Sequence, residues 1–226
     1  MSNQNLTWLV FLLDRSGSMQ SIKSDVIGGF EAFIAEQRAG EGRCAVTLAQ
    51  FDNEYEVVYH GIDLDDVPTL SLHPRNSTAL LDSMGKLITD TAAEIDALDE
   101  ADRPGTIVLA IMTDGLENAS NEWRRPDIKA LVEQQTNDHG WEFLYMGADQ
   151  DAVEVGRGLG VKDGQAITYA RGKSREAMRA TSMNIRGYRT AKLSDADAVM
   201  VGFSAEQRAG LADDAEAGRG DAGRER

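Results

Sequence analysis

The stretch Leu6–Leu13 reads LTWLVFLL and stops abruptly at Asp14 and Arg15. A run this apolar is too short to span a bilayer, which takes about 20 residues as a helix. It suits a strand covered on both faces, the situation of strands inside a mainly parallel sheet flanked by helices. No basic residue precedes it and no small-residue cleavage site follows, so a secretory leader is not expected.

The rest of the chain repeats this logic. Ile22, Val26, Phe30, Phe33 and Ile34 recur at steps of three and four, the stripe of an amphipathic helix. Cys44–Phe51 and Tyr55–Tyr59 are β-rich and separated only by Asp52, Asn53 and Glu54, which predicts a hairpin and one antiparallel strand. Leu80, Met84, Leu87, Ile88, Ile95 and Leu98 form a second helical stripe, and Thr106–Met112 is a further buried strand. A third helix follows Pro126, then a strand at Glu142–Met146, a short helix near Asp151–Leu159, a strand at Ala166–Tyr169 and a helix over Ser174–Lys192. Alternation of this kind predicts an α/β sheet wound on both faces, with ligands at the carboxyl ends of the strands where the winding reverses. One domain is expected over 1–204, its core about 6–190. Residues 205–226, rich in Ala, Gly and charge with Leu211 the only large aliphatic residue, are expected to be disordered or a frayed helix.

Charge narrows the partners. The net charge of -15 would repel a phosphate backbone, and no basic face is evident, so nucleic acid is not an expected partner, nor is a membrane. The single cysteine, Cys44, lies in an apolar run and reads as a small buried hydrophobe, which together with the missing leader predicts a cytoplasmic protein.

The chemistry gathers at three places. Asp14-Arg15-Ser16-Gly17-Ser18 follows the first strand, Asn76-Ser77-Thr78-Ala79-Leu80 opens the second helix, and Thr113-Asp114-Gly115 follows the fourth strand. If the first and fourth strands are neighbours, Asp14 and Asp114 meet, and a cation between them is the simplest relief of their repulsion. Carboxylate and hydroxyl oxygens without imidazole or thiolate make a hard site, suited to Mg2+, with Mn2+ or Ca2+ as substitutes. His60, His73 and His139 fall in unrelated segments and are expected to be structural or exposed.

DRSGSM, NSTAL and MTDGLENAS, in this order after these elements, resemble the metal-ion-dependent adhesion site (MIDAS) of von Willebrand factor type A (vWA) domains, in particular of small stand-alone bacterial vWA proteins. The resemblance implies metal ligation by Asp14, Ser16, Ser18, Thr78 and Asp114, and a six-stranded, mostly parallel sheet ordered 3-2-1-4-5-6 with strand 3 antiparallel. It implies a non-enzymatic adaptor that takes an Asp or Glu side chain of another protein as a ligand of the metal, with an AAA+ ATPase or a multi-protein assembly as the kind of partner. One departure is Arg75-Asn76-Ser77, where many relatives carry glycine.

The alternative function is a metal-dependent, phosphatase-like hydrolase, because an Asp after the first strand of a doubly wound sheet also opens the haloacid-dehalogenase type of site. Those sites want a second Asp two residues on, where this chain has Ser16, and no triad or Walker loop is present. Gly156, Gly158 and Gly160 lack the spacing of a dinucleotide fingerprint. Asp82 and Asn118 are read as capping or supporting groups, Asp52 as a turn residue, Met19 as core, and Trp123-Arg124-Arg125 as a half-packed segment near the rim.

Overall fold

The computed structural model describes residues 2–212. Its elements are β1 (Asn3–Asp14), α1 (Lys23–Arg38), β2 (Arg43–Phe51), β3 (Tyr55–Asp63), α2 (Leu80–Ala97), β4 (Pro104–Thr113), α3 (Arg125–His139), β5 (Glu142–Ala148), α4 (Ala152–Gly158), β6 (Ala166–Tyr169), α5 (Ser174–Ser194) and α6 (Ala205–Leu211). The strands form one sheet ordered β3-β2-β1-β4-β5-β6. Neighbours run parallel except β2 and β3, which form the antiparallel hairpin expected from their short polar connection.

The pleat of β1 explains its unbroken hydrophobicity. Leu9, Phe11 and Leu13 enter the layer shared with Phe30, Phe33 and Ile34 of α1 and Met178 and Ile185 of α5. Trp8, Val10 and Leu12 enter the opposite layer with Leu80, Met84 and Ile88 of α2 and Ile128 and Val132 of α3. Successive side chains point to opposite faces, so a strand roofed on both sides shows no apolar–polar alternation. Phe11 meets Phe30 and Phe33 edge-on, at centroid distances of 5.3 and 4.9 Å. At the sheet edge β3 has no such double cover, and most of its side chains are exposed.

Boundaries differ from the periodicity where polar residues continue a pairing. β1 begins at Asn3 and β3 runs to Asp63, because backbone pairing with β4 and β2 continues past the apolar positions. β4 begins at Pro104, a strand-first position where a missing N–H is harmless. The connection from β3 to α2 is not a bare loop: Leu64, Val67, Leu70 and Leu72 are buried and complete the α1 side of the core. Met19, in a 3-10 turn over Gly17–Ser21, is buried as expected of a core residue.

The 205–226 segment, expected to be disordered or a frayed helix, opens with a capped and docked helix. Ala205–Leu211 is a helix whose N-cap, Ser204, accepts the Gln207 N–H while the Gln207 side chain accepts the Ser204 N–H, a capping box. Leu211 is buried, and its carbonyl accepts the Ala170 N–H at 2.9 Å. Composition missed this because one well-placed leucine, a reciprocal cap and docking by Arg208 onto the carbonyls of Ala166 and Asp163 suffice to fix so short a helix. The expected disorder of the remainder, 213–226, lies outside the described residues.

Candidate metal centre

β1 and β4 lie side by side in register, Leu13 opposite Met112, so the residues that follow them emerge at the same edge of the sheet. Asp14, the last residue of β1, is fully buried. One of its oxygens accepts the Ser16 N–H at 2.6 Å, turning the chain back over the strand end, and the other accepts the Thr113 hydroxyl at 2.6 Å. The predicted meeting of the strand-one and strand-four motifs therefore occurs, with Thr113 as a direct link.

The hydroxyls converge above this floor. The Ser16 and Ser18 oxygens are 3.2 Å apart, and the Ser18 hydroxyl donates to Asp114 Oδ1 at 2.5 Å. A side chain at Gly115 would place its Cβ 3.2 Å from Thr78 Oγ1, 3.7 Å from Ser18 Oγ and 3.9 Å from Ser16 Oγ. Glycine at 115 thus leaves free a spot bordered by three hydroxyl oxygens. All five candidate ligands, Asp14, Ser16, Ser18, Thr78 and Asp114, belong to one cluster; Ser18 is its exposed member and the other four are buried.

Three loops hold this arrangement. The Arg75 N–H donates to the Arg15 carbonyl at 2.8 Å and the Gly17 N–H to the Asn76 carbonyl at 3.1 Å, which joins the Thr78 segment to the β1 loop. Asn76 makes the join by adopting φ 58°, the left-handed conformation that asparagine tolerates better than most residues. On the far side, Asn118 accepts the Thr78 N–H at 2.9 Å and donates its own N–H to the Thr78 carbonyl at 3.0 Å.

The start of α2 is capped from the same loop. Glu117 accepts the Leu81 N–H and the Ser120 hydroxyl accepts the Asp82 N–H, satisfying helix donors that have no partner within the helix. Asp82 reciprocates by accepting the N–H groups of Asn121, Glu122 and Trp123. Glu117 and Ser120 escaped the sequence reading as functional supports. Their signal was a cluster of capping residue types directly after Thr113-Asp114-Gly115.

Electrostatics favour a cation here. Burial raises the Asp14 pKa to about 6 against the hydrogen bonds from Thr113 and Ser16, and Asp114 adds to the rise by repulsion. Asp114 is raised too, again by burial first, with the Ser18 hydrogen bond and the Arg171 charge opposing. Its Oδ2 is buried and has no hydrogen-bond partner. Two buried carboxylates, one with an oxygen that accepts no hydrogen bond, beside converging hydroxyls fit a small hard divalent ion. Among the described residues no three side chains drawn from His, Cys, Asp and Glu come together as a metal-binding group.

The remaining sequence candidates fall elsewhere. His60, His73 and His139 are exposed and far apart in the chain, and His60 pairs with Glu94 at 2.7 Å. Trp123 is half-buried, its indole lying directly over Gly85 of α2. Asp52 exceeds its expected turn role: it is fully buried, accepts the Glu54 N–H at 2.7 Å and binds Arg75 Nε at 2.6 Å, with Arg15 Nε at 3.4 Å. Among the described residues no helix is long and apolar enough to cross a membrane.

Neither a family model nor a curated protein matches the sequence. Solved structures do match the fold. A von Willebrand factor type A protein from Catenulispora acidiphila aligns with TM-score 0.54 at 15% identity, covering 80% of this chain and 43% of its own. The chain has the von Willebrand factor type A fold. The vWF domain of the type V pilus tip protein Mfa5 from Porphyromonas gingivalis aligns with TM-score 0.56 at 12% identity, covering 79% of this chain and 94% of its own. Proximal thread matrix protein 1 from the mussel byssus, in a form with a zinc-occupied MIDAS motif, aligns with TM-score 0.54 at 12% identity, over 83% of this chain and 45% of its own. This vWA-fold chain thus spans less than half of the first and third of these.

Proposed function

We propose that this chain is a metal-dependent protein-binding module, holding one Mg2+ through Asp14, Ser16, Ser18, Thr78 and Asp114 and taking an Asp or Glu side chain of a partner at that ion. The observation that carries the reading is the buried Asp114 Oδ2, which accepts no hydrogen bond, beside hydroxyls that gather around Gly115. When bound, the ion supplies an electrophilic position able to accept one outside carboxylate oxygen. The chain's own residues do the rest. Asp14 forms the floor, Thr113 and the Ser16 N–H hold its two oxygens in place, and Asn118 fixes the height of Thr78.

Binding fits this geometry better than catalysis. The position two residues after Asp14, where a phosphatase of the alternative class has its acid, is Ser16, whose N–H is bound to Asp14. An adaptor working inside an assembly in the cytoplasm agrees with the buried thiol of Cys44.

Thermal unfolding tests the metal. At a concentration of Mg2+ or Mn2+ about 100 times the dissociation constant, the folded state gains about 2.7 kcal/mol. The native chain melts higher with metal than with chelator, and Asp14→Ala shows no such rise. Equal melting of the native chain in both conditions overturns the metal reading. Capture of a partner that is lost in chelator supports the adaptor reading, and metal-dependent ester hydrolysis abolished by Asp14→Ala replaces it with an enzyme.

A further inference from the structure

One charged side chain at the metal centre belongs to neither the ligand set nor its supports. Arg171 follows β6, next to Gly172, and its Nη2 lies 3.6 Å from Asp114 Oδ2, the carboxylate oxygen without a hydrogen-bond partner. Its guanidinium is clamped in place. Nε donates to Asp149 Oδ2 at 2.6 Å, the Arg171 N–H donates to Asp149 Oδ1 at 3.2 Å, and Nη1 donates to Ser21 Oγ at 3.2 Å.

The clamp spans the loops after β1, β4, β5 and β6. Asp149 holds it while in a left-handed backbone conformation, φ 48°, and its own N–H is tied to the Tyr169 carbonyl at 3.1 Å. Strain at a non-glycine residue persists only where the surroundings impose it, and here it aims a carboxylate at Arg171.

We infer that Arg171 is the affinity-setting residue of the metal centre: a tethered cation that compensates Asp114 before metal binds and competes with the divalent ion for it. The inference rests on the metal reading above. With Nε and Nη1 held by Asp149 and Ser21, the guanidinium is fixed with its Nη2 facing Asp114 Oδ2, so its nearness to Asp114 counts as charge compensation. Once a divalent ion shares Asp114, like charges a few ångströms apart repel, and only partial solvent exposure screens them. Arg171 therefore weakens metal binding and makes it responsive to whatever draws the β6–α5 loop away. A partner that engages Arg171 or Asp149 tightens the metal without touching a ligand.

The test is Mn2+ affinity of the full chain, followed by the paramagnetic resonance of free Mn2+, for the native protein and Arg171→Gln, with Arg171→Met as a second neutral variant. Both variants should bind Mn2+ roughly three- to tenfold tighter at low salt, and the gap should narrow in about 0.5 M salt. Arg171→Lys, keeping the charge, should stay near native. The metal-free melting temperature should fall in both neutral variants, since Asp114 loses its compensating charge. Unchanged or weaker Mn2+ binding by both neutral variants overturns the inference while leaving the metal site intact. Failure of native and variant chains alike to bind Mn2+ overturns the metal reading and the inference with it.

Discussion

Asn118 grips Thr78 from both sides, its side-chain oxygen accepting the Thr78 N–H and its own N–H donating to the Thr78 carbonyl. Neither bond touches a metal, yet together they decide where the Thr78 hydroxyl stands. Residues that orient ligands from behind typically influence metal affinity by about 10- to 100-fold. Asn118→Ala should weaken Mn2+ binding by about tenfold while costing about 1 kcal/mol of stability. Asn118→Asp, which keeps the acceptor, should restore most of the affinity. Mn2+ titration and urea unfolding measure the two effects, and equal affinity in Asn118→Ala would show that Thr78 is positioned without this grip.

That grip shows what a sequence yields and what it withholds. β1 was legible because a near-continuous apolar run of eight residues stopped by Asp14 has few alternatives, and Asp14 met the β4 motif because parallel neighbours in register deliver their ends to one edge. Asn118 was visible as a polar residue near the motif. Its service to Thr78 depends on a contact between segments forty positions apart, which no local pattern encodes. The docking of α6, expected only as a disordered or frayed segment, was hidden for a different reason: average composition conceals a single buried Leu211 and a capping box of two residues. Asn76 is intermediate: asparagine is among the residues that tolerate a left-handed φ, but the sequence alone does not say that the turn needs one.

Asp52 is the buried counter-charge behind the site. It is fully buried, lies against Arg15 and Arg75, and its carbonyl accepts the Ala79 N–H next to Thr78. Asp52→Ala would leave the buried Arg15 with Glu56 as its remaining acidic partner and the Glu54 N–H without its acceptor. Removing one member of a buried charged set leaves the others uncompensated, so a loss of about 2–3 kcal/mol is expected. Asp52→Asn should lose less, because an amide oxygen can still accept from Glu54. Urea unfolding midpoints of the two variants test the order, and a smaller loss in Ala than in Asn would contradict it.

Cys44 is buried, and burial pushes its thiol pKa up to about 11. The thiolate is the reactive species, and compared with an ordinary thiol at 9.0 this rise leaves about a hundredfold less of it at any pH below 9. A thiol reagent at pH 8 should therefore modify the folded chain far more slowly than the unfolded one, and the folded rate should keep climbing with pH past 9. Full modification in urea within the mixing time, against slow modification in buffer, is the expected pair of results. Rapid labelling of the folded chain would place Cys44 in an open, easily ionised setting.

Gly85 reports on how the loop after β4 seats on α2. A Cβ at 85 would collide with the indole of Trp123, whose backbone N–H is fixed to Asp82 at 2.8 Å. Two effects oppose each other in Gly85→Ala. Alanine in a helix interior is favoured over glycine by about 1 kcal/mol, whereas overpacking a seated side chain costs about 1–3 kcal/mol. The indole ring is rigid and its backbone is anchored, so the clash should win, giving net destabilisation and a red-shifted tryptophan emission as Trp123 is lifted toward water. In a Trp123→Ala background the same Gly85→Ala change should become stabilising, because only the helical preference remains. That reversal of sign in a double-mutant cycle isolates the contact from propensity. Destabilisation of equal size in both backgrounds would place the cause within α2 itself and remove Trp123 from the account of how the Asp114 loop is held.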